Sequence, residues 1–210
     1  MKPKLLIFAS GTKTGGGSGF EKLVEANNRR VLDADIVGVV SNHAEGGVAE
    51  KAKRLGIKFI HFAGPYTAEE YQRIVRETGA EFVSLSGWLK LVAGLDPRTT
   101  FNIHPGPLPR FGGAGMYGHH VHEAVMDAYR KGEVTHSAVS MHFVTEKYDE
   151  GPKFFEALVE ILPDDTADTL GQRVNATEHK WQAVISDWVI HGEISWDGKD
   201  PNSLIGYTDF

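Results

Sequence analysis

The sequence LLIFASGTKTGGGSG at residues 5–19 decides the fold of this chain. It begins with a continuous apolar run, which is typical of a strand buried on both faces of a parallel sheet. A glycine-rich segment follows, and residues 18–28 then place Phe20, Leu23 and Val24 on one face of a predicted helix. A strand, a glycine-rich loop and a helix in this order predict the start of a βαβ unit.

The same alternation of strand and helix continues to the middle of the chain. Further strands are predicted at residues 36–40, 58–61, 82–86 and 100–104, and helices at 48–55 and 67–78. Thr67 and Glu70 have the spacing of a capping box at the start of the second of these helices. The pattern predicts an α/β fold with a Rossmann-like, doubly wound, mainly parallel sheet and helices on both faces.

The pattern changes after residue 105. A loop rich in glycine and proline is predicted at residues 106–118, a helix at 121–129, strands at 138–144 and 154–162, and a long helix at 166–191. The sequence shows no internal repeat and no linker. We therefore expect residues 1–192 to form a single domain and residues 193–210 to be a loosely packed C-terminal tail.

The composition excludes several kinds of chemistry. The 210 residues carry a net charge of -6 and include no cysteine. Disulfides, thiolate metal sites and a cysteine nucleophile are therefore excluded, and the acidic balance argues against nucleic acid or a membrane as a partner. The apolar run at residues 5–9 is too short for a signal peptide or a membrane span. We expect a cytoplasmic protein, and its oligomeric state is open between monomer and homodimer.

Two polar residues at the end of a predicted strand form a candidate site. In Phe101-Asn102-Ile103-His104-Pro105, Asn102 and His104 point the same way on an extended segment. Pro105 ends the strand, and open α/β sheets bind ligands at such strand ends. Asp149 in a later loop adds a carboxylate. An amide, an imidazole and a carboxylate suit acyl transfer, although Asn102 and His104 are, on their own, better explained by turn capping.

The glycine-rich segment at residues 10–19 favours a bound phosphate. Its glycines let backbone amides approach a ligand, and the N-terminus of the following helix favours negative charge. The P-loop pattern does not fit, because Thr12 precedes Lys13 where the pattern needs glycine, and the dinucleotide pattern fails at Phe20. The alternative interpretation is a flexible surface loop.

Histidines are concentrated in the second half of the chain, and six of the ten lie between His104 and His142. Their spacing lacks both the His-Glu-x-x-His pattern and helical i, i+4 pairing, so we predict no metal site. His142 lies in a predicted strand and faces either the cleft or solvent.

Several motifs together resemble the folate-dependent formyltransferases. These are Asn102-Ile103-His104-Pro105, Leu108-Pro109-Arg110, His142-Phe143-Val144-Thr145 and Asp149-Glu150-Gly151-Pro152, with further matches at Ser10-Gly11, residues 40–42, residues 86–90 and Glu178-His179. The resemblance spans residues 4–192 and keeps the motif order. It is closest to the members that act on phosphoribosylglycinamide in purine synthesis, and it implies the formyltransferase fold.

The resemblance also implies a reaction and a role for each candidate group. A formyl group would pass from 10-formyltetrahydrofolate to the amine of 5'-phosphoribosylglycinamide. Asn102 would hydrogen-bond the formyl oxygen, His104 would donate or accept a proton, and Asp149 would raise the histidine pKa and order a water. General chemistry agrees, because a placed amide stabilises a developing oxyanion and histidine titrates closest to neutral pH.

Binding residues follow from the same resemblance. The residues expected to bind phosphate are Gly17, Ser18 and Gly19, and Glu178 is expected to contact the ribose or glycinamide part. The residues expected to line the folate pocket are Leu89, Lys90, Leu91, Val92, Asn102 and Thr145. The loop at residues 145–149 is expected to close that pocket.

The chain departs from the family pattern in its two glycine-rich loops. The first loop carries an insertion, and Gly19 stands where an asparagine is usual, so we expect Lys13 to supply the lost polar contact. The second loop, residues 106–118, is longer than usual. We predict that it is an acceptor-side lid, because its glycines suit hinge motion.

These departures leave the acceptor amine open. On the same fold, a formyltransferase for an amino-sugar nucleotide is the main alternative. A methionyl-tRNA formyltransferase usually carries a C-terminal domain and a formylfolate hydrolase an N-terminal one, and neither is expected here. The alternative from another class is a non-catalytic folate or nucleotide sensor, against which the presence of Asn102, His104 and Asp149 argues.

Overall fold

An eight-stranded sheet forms the centre of the fold. The structure, a computed structural model, describes residues 1–206 and 208–209. The strands are β1 (Lys4–Phe8), β2 (Asp35–Ser41), β3 (Phe59–His61), β4 (Phe82–Leu85), β5 (Thr100–His104), β6 (His136–Phe143), β7 (Lys153–Glu160) and β8 (Thr208–Asp209). They lie in the order β3-β2-β1-β4-β5-β6-β7-β8. The first five strands pair with one another in parallel, whereas β6 is antiparallel to both β5 and β7.

Helices cover both faces of this sheet. They are α1 (Ser18–Asn28), α2 (Gly47–Leu55), α3 (Ala68–Thr78), α4 (His119–Arg130) and α5 (Ala167–Ile190), with a 3-10 turn at Pro201–Ser203. Residues of α1, α2, α4 and α5 belong to one buried cluster, and residues of α3 belong to another. The predicted doubly wound, mainly parallel α/β fold is therefore confirmed.

The first strand shows why the apolar run at the start of the chain decides this fold. Leu5 and Ile7 lie in the cluster under α1 and α5, whereas Leu6 and Phe8 lie in the cluster under α3. All four side chains are fully buried. Because successive side chains of a strand point to opposite faces, only an uninterrupted apolar run can serve a sheet that is covered on both sides.

A crevice opens where the chain reverses its direction across the sheet. From β1 the chain proceeds through β2 to β3 on one side, and it then returns to place β4 on the other side of β1. The loops after β1 and β4 start together, since Ser10 N–H donates to the Gly87 carbonyl at 3.0 Å. Ligands of open α/β sheets bind at such a switch point.

The predicted capping box at the start of α3 is not formed. Thr67 is the N-cap residue, but its side chain makes no capping hydrogen bond. The Thr67 side chain instead bonds to Glu69, and Glu70 pairs with Arg73 at 2.7 Å. Competing local partners therefore replaced the capping pair.

The expectation of a loosely packed C-terminal tail is wrong for its first part. Ile194 and Trp196 are buried in the main core, and the Trp196 ring lies 5.9 Å from that of Phe143. Ser195 and Ile205 also exchange two backbone hydrogen bonds. Burying two large apolar side chains stabilises this segment against the end of β6.

Candidate active site

The residues Asn102, His104 and Asp149 come together on one face of β5. Phe101 and Ile103 point into the main core, so Asn102 and His104 point to the opposite face. The loop between β6 and β7 folds over that face and brings Asp149 to them. The Asp149 carboxylate lies 3.7 Å from His104 Nδ1 and 3.5 Å from Asn102 Nδ2. The structure therefore places an amide, an imidazole and a carboxylate within reach of one small group.

The backbone fixes the proton position on His104. The ring is 3% exposed, and its Nε2 lies 2.8 Å from the Phe111 carbonyl oxygen. Since a carbonyl oxygen only accepts, Nε2 carries the hydrogen and donates it. In the neutral ring the lone pair is then on Nδ1, the nitrogen that faces Asp149. Nδ1 is therefore the atom that can take up a proton.

The pKa of His104 moves in the direction opposite to the one expected from its carboxylate neighbour. Burial lowers the pKa of His104 below its ordinary value, and this effect outweighs the opposing charge of Asp149. Asp149 does raise the pKa of His104, as the resemblance implies, but desolvation disfavours the imidazolium more strongly and sets the net direction. A neutral imidazole suits the role of proton acceptor.

Asp149 is held as a carboxylate by hydrogen bonds. Burial alone would raise the pKa of Asp149, but the adjoining His142 and His104 and the Gly113 N–H stabilise the carboxylate more strongly and lower that pKa. The Gly113 N–H donates to Oδ2 at 3.0 Å. Asp149 itself has a φ of 55°, in the left-handed region that aspartate tolerates better than most residues. The loop thus presents an ionised carboxylate to the site.

His142 is a fourth member of the site that sequence reasoning did not include. It pairs with Asn102 across β5 and β6 and is 2% exposed, so it faces the cleft rather than solvent. Its Nδ1 donates to the Phe143 carbonyl at 2.8 Å, and its Nε2 lies 3.1 Å from Asn102 Nδ2 and 3.3 Å from Asp149 Oδ1. Only the antiparallel register brings these side chains together, and a single sequence carries no signal for it.

A cavity of about 770 Å³ opens in front of these groups. Its walls come from β5, from the second glycine-rich loop and from α5. Lining residues include Asn102, His104, Gly113, Met116, Asp149, Asn175 and Glu178. The second loop also holds the site directly, because Phe111 and Gly113 bind His104 and Asp149.

A second cavity, of about 230 Å³, adjoins the first at the start of α1. Gly17, Ser18, Gly19 and Glu178 all line it, so the residues predicted for the acceptor lie together. Gly17 caps the helix with a φ of 74° and leaves the first helical N–H groups free to face an anion. Burial raises the pKa of Glu178 to about 7.

The first glycine-rich loop is folded rather than loose. Thr12 N–H donates to the Gly15 carbonyl at 2.8 Å, and Gly47 N–H reaches the Thr12 carbonyl at 3.4 Å. A Cβ on Gly47 would overlap the Gly15 backbone, so the loop packs tightly on the start of α2. Lys13 is exposed and does not line the second cavity. A contact from Lys13 to the ligand remains a prediction.

A third and smaller cavity, of about 50 Å³, lies on the other side of the Asn102 amide. The predicted folate residues that line it are Lys90, Leu91, Val92, Asn102 and Thr145. Leu89 instead lines the first two cavities. Tyr71 on α3 holds the loop that follows β4. Its hydroxyl donates to the Leu91 carbonyl at 3.0 Å and accepts from Trp88 Nε1 at 3.1 Å.

Comparisons with known proteins agree with this geometry. Residues 4–185 match the formyl transferase family. The chain belongs to that family. This formyl transferase is 33% identical over 206 residues to the chloroplastic phosphoribosylglycinamide formyltransferase of Arabidopsis thaliana, covering 93% of this chain and 68% of the plant protein. It is 30% identical over 189 residues to the phosphoribosylglycinamide formyltransferase of Bacillus subtilis, covering 85% of this chain and 90% of that protein.

Solved structures show the same fold. Glycinamide ribonucleotide transformylase 1 of Symbiobacterium toebii superposes on this formyl transferase with a TM-score of 0.80 and 25% identity, covering 94% of this chain and 92% of that chain. Within residues 1–206 and 208–209, no three histidine, aspartate or glutamate side chains are grouped to hold a metal ion. None of the helices described is long and apolar enough to cross a membrane. The cytoplasmic location remains a prediction.

Proposed function

We propose that this formyl transferase moves a formyl group from 10-formyltetrahydrofolate to the amine of 5'-phosphoribosylglycinamide. The observation that carries the proposal is the arrangement of three adjoining cavities, of which the central one is lined by Asn102, His104 and Asp149. The names of the matched plant and Bacillus relatives support the same acceptor.

The acceptor enters from the side of the first glycine-rich loop. Its phosphate binds at the start of α1, where Gly17, Ser18 and Gly19 present backbone N–H groups and the helix dipole favours an anion. Glu178 lines both this cavity and the central one, so it contacts the ribose or glycinamide part. The amine then points toward Asn102.

The folate enters from the opposite side. Its pterin ring occupies the small cavity beside Leu91, Val92 and Thr145. Backbone groups of the loop after β4 form hydrogen bonds with the polar edge of the ring. Leu91 is 38% exposed and Tyr148, on the facing loop, is also 38% exposed. Such exposed apolar side chains at a cavity mouth suit the aromatic part of the donor.

The chemistry is a direct attack of the amine on the formyl carbon. As the new C–N bond forms, negative charge develops on the formyl oxygen, and the Asn102 amide donates a hydrogen bond to it. His104 Nδ1 accepts the proton that the amine loses, and Asp149 stabilises the imidazolium. The bond from the formyl carbon to the folate nitrogen then breaks, and that nitrogen receives the proton, with a water ordered by Asp149 as its carrier.

The proposal is tested by incubating the protein with 10-formyltetrahydrofolate and a panel of amines while folate release is followed. Release that depends on phosphoribosylglycinamide, with formylated product identified by mass spectrometry, is the expected result. Release that depends on an amino-sugar nucleotide instead would give the reaction a different acceptor. Release without any amine would make the protein a hydrolase, and absence of release would overturn the catalytic proposal.

A further inference from the structure

The second residue of α1 has no room for a side chain. A Cβ on Gly19 would overlap Ser86 Oγ and would lie 3.0 Å from Gln182 Oε1. Gly19 does not have a positive φ, so glycine is required here for space rather than for backbone conformation. Polar groups from the loop after β4 and from α5 thus occupy the place where a side chain at residue 19 would stand.

One of these groups, the amide of Gln182, is buried with its nitrogen unused. Gln182 is 2% exposed, and Ser86 Oγ donates to its Oε1 at 3.3 Å. Its Nε2 has no hydrogen-bond partner among the residues that the structure describes. A buried amide N–H without an acceptor is unfavourable, and native proteins rarely keep one without a reason.

The unused nitrogen belongs to a side chain that lines the cavity at the start of α1. Ser86, His179 and Gln182 line that cavity together with Gly17 and Ser18. His179 lies three residues before Gln182 on α5, and its Nε2 is likewise without a partner in the described part of the chain. Burial lowers the pKa of His179, so its ring is neutral near neutral pH. Two side chains with unpartnered nitrogens therefore line the cavity where the helix N-terminus favours an anion.

We propose that Gln182 is a phosphate-binding residue, whose Nε2–H donates to an oxygen of a phosphomonoester bound at the start of α1. His179 supplies a second donor through Nε2, and the Ser86 hydroxyl already occupies Gln182 Oε1, which leaves Nε2 for the ligand. The identity of the phosphomonoester as phosphoribosylglycinamide rests on the proposed function, whereas the anion site itself does not.

The first test compares Gln182→Leu with the wild type in the transfer assay. The KM for phosphoribosylglycinamide should rise at least tenfold, while kcat and the KM for folate change less than twofold, because the phosphate lies away from the formyl carbon. An acceptor without the phosphate, glycinamide riboside, should be used equally well by both proteins. Equal loss with and without the phosphate would overturn the proposal.

A matched control removes another unpartnered buried group from the same helix. Ser186 lies one turn after Gln182, is fully buried, and does not line the cavity. Ser186→Ala should leave the KM for the acceptor unchanged. Gln182→Glu keeps the shape of the side chain but replaces the donor by a carboxylate, so it should weaken phosphate binding further than Gln182→Leu. If Gln182→Glu binds phosphate as well as the wild type, the proposal is wrong.

A rescue experiment separates ligand binding from a structural role. Ser86→Ala with Gln182→Ala opens the space beside residue 19 and should raise the acceptor KM. Adding Gly19→Asn to that pair returns an amide to the same place and should restore most of the lost affinity. A merely structural role for Gln182 predicts no restoration.

Binding of ribose 5-phosphate, measured by calorimetry, tests the anion site without the reaction. If the wild type binds it and Gln182→Leu binds at least tenfold more weakly, the anion site stands even where phosphoribosylglycinamide proves not to be the acceptor. If phosphoribosylglycinamide is formylated but Gln182→Leu and Gln182→Glu bind ribose 5-phosphate as tightly as the wild type, the proposed function stands and the role of Gln182 is overturned.

Discussion

At the scale of single residues, backbone groups set the chemical state of the reacting side chains. The Phe111 carbonyl holds His104, the Phe143 carbonyl holds His142, and the Gly113 N–H holds Asp149. Each contact leaves one side-chain atom directed at the others. Such preorganisation reduces the rearrangement that the reaction needs when charge develops.

His104→Ala tests the proton acceptor. We expect kcat to fall by about 100-fold or more, the usual contribution of a placed general base, with little change in the folded structure measured by circular dichroism. His136→Ala is a matched control, because His136 is exposed on β6. Wild-type turnover in His104→Ala would show that another group moves the proton.

Asp149→Asn tests the charge beside that base. The variant keeps an acceptor for the Gly113 N–H but cannot stabilise the imidazolium, so kcat should fall by at least about tenfold. The lower apparent pKa of the kcat profile should also shift further down, because the charge that opposes the burial effect on His104 is gone. Glu150→Gln removes the neighbouring carboxylate, which pairs with Lys147 at the surface, and should change neither quantity.

At the scale of elements, α3 positions the loop proposed to bind folate. Tyr71 bonds to Trp88 and to the Leu91 carbonyl, and Gln72 Nε2 donates to the Gly94 carbonyl at 2.7 Å. Tyr71 is itself fully buried among aromatic rings, so it cannot move independently of the core. The helix thereby fixes the loop without touching the cavity.

Tyr71→Phe removes both hydroxyl contacts while keeping the ring. We expect the KM for folate to rise about fivefold, the effect of losing roughly 1 kcal/mol of hydrogen bonding, with the KM for the acceptor unchanged. Tyr129→Phe, which removes a hydroxyl from α4, should leave both KM values alone. Equal increases in the two KM values would contradict a role confined to the folate side.

The second glycine-rich loop contacts two of the proposed catalytic groups at once. Because Phe111 and Gly113 contact His104 and Asp149, a movement of this loop would release both side chains at once. We propose that this loop, residues 106–118, is a lid on the acceptor side of the cavity. A structure with acceptor bound and residues 113–118 remote from it would contradict the idea.

At the scale of the whole molecule, the switch point and the change to antiparallel strands together build the site. The crevice between the loops after β1 and β4 is the proposed acceptor side, and the antiparallel β6 and β7 carry His142 and the Asp149 loop onto β5. Two buried, neutral histidines, His104 and His122, lie near the resulting cavity. Their burial links the stability of the fold to pH.

As the pH falls, the fold should therefore lose the stability that depends on a neutral His122. Burial is the main cause that lowers the pKa of His122 from 6.5 to about 4. Between pH 6.5 and pH 4, His122 is protonated in the unfolded chain but stays neutral in the folded one. The stability that depends on His122 is therefore fully present above pH 6.5 and is lost as the pH falls from there toward 4. Protonation of Glu178 acts in the opposite direction over the same range, because burial raises its pKa to about 7. The loss through His122 is therefore read from urea unfolding at pH 7 and pH 5 as the difference between the wild type and a His122 variant.

His122→Gln identifies the source of that loss. Between pH 7 and pH 5 the wild type should lose on the order of 2 kcal/mol through His122 alone, and the variant should lose that much less. His120→Gln, which changes an exposed histidine on the same helix, should keep the wild-type pH dependence. An unchanged pH dependence in His122→Gln would mean that the histidine is not buried neutral.

The sequence by itself determined the order of strands and helices, the burial of β1 and the shared direction of Asn102 and His104. These features follow from local periods of two and 3.6 residues, which can be read along one chain. Tertiary structure alone decided that His142 joins the site, that burial rather than Asp149 sets the pKa of His104, and that Gln182 stands beside Gly19. Those outcomes depend on strand register and on contacts between elements far apart in sequence, because burial and distance are properties of the packed molecule.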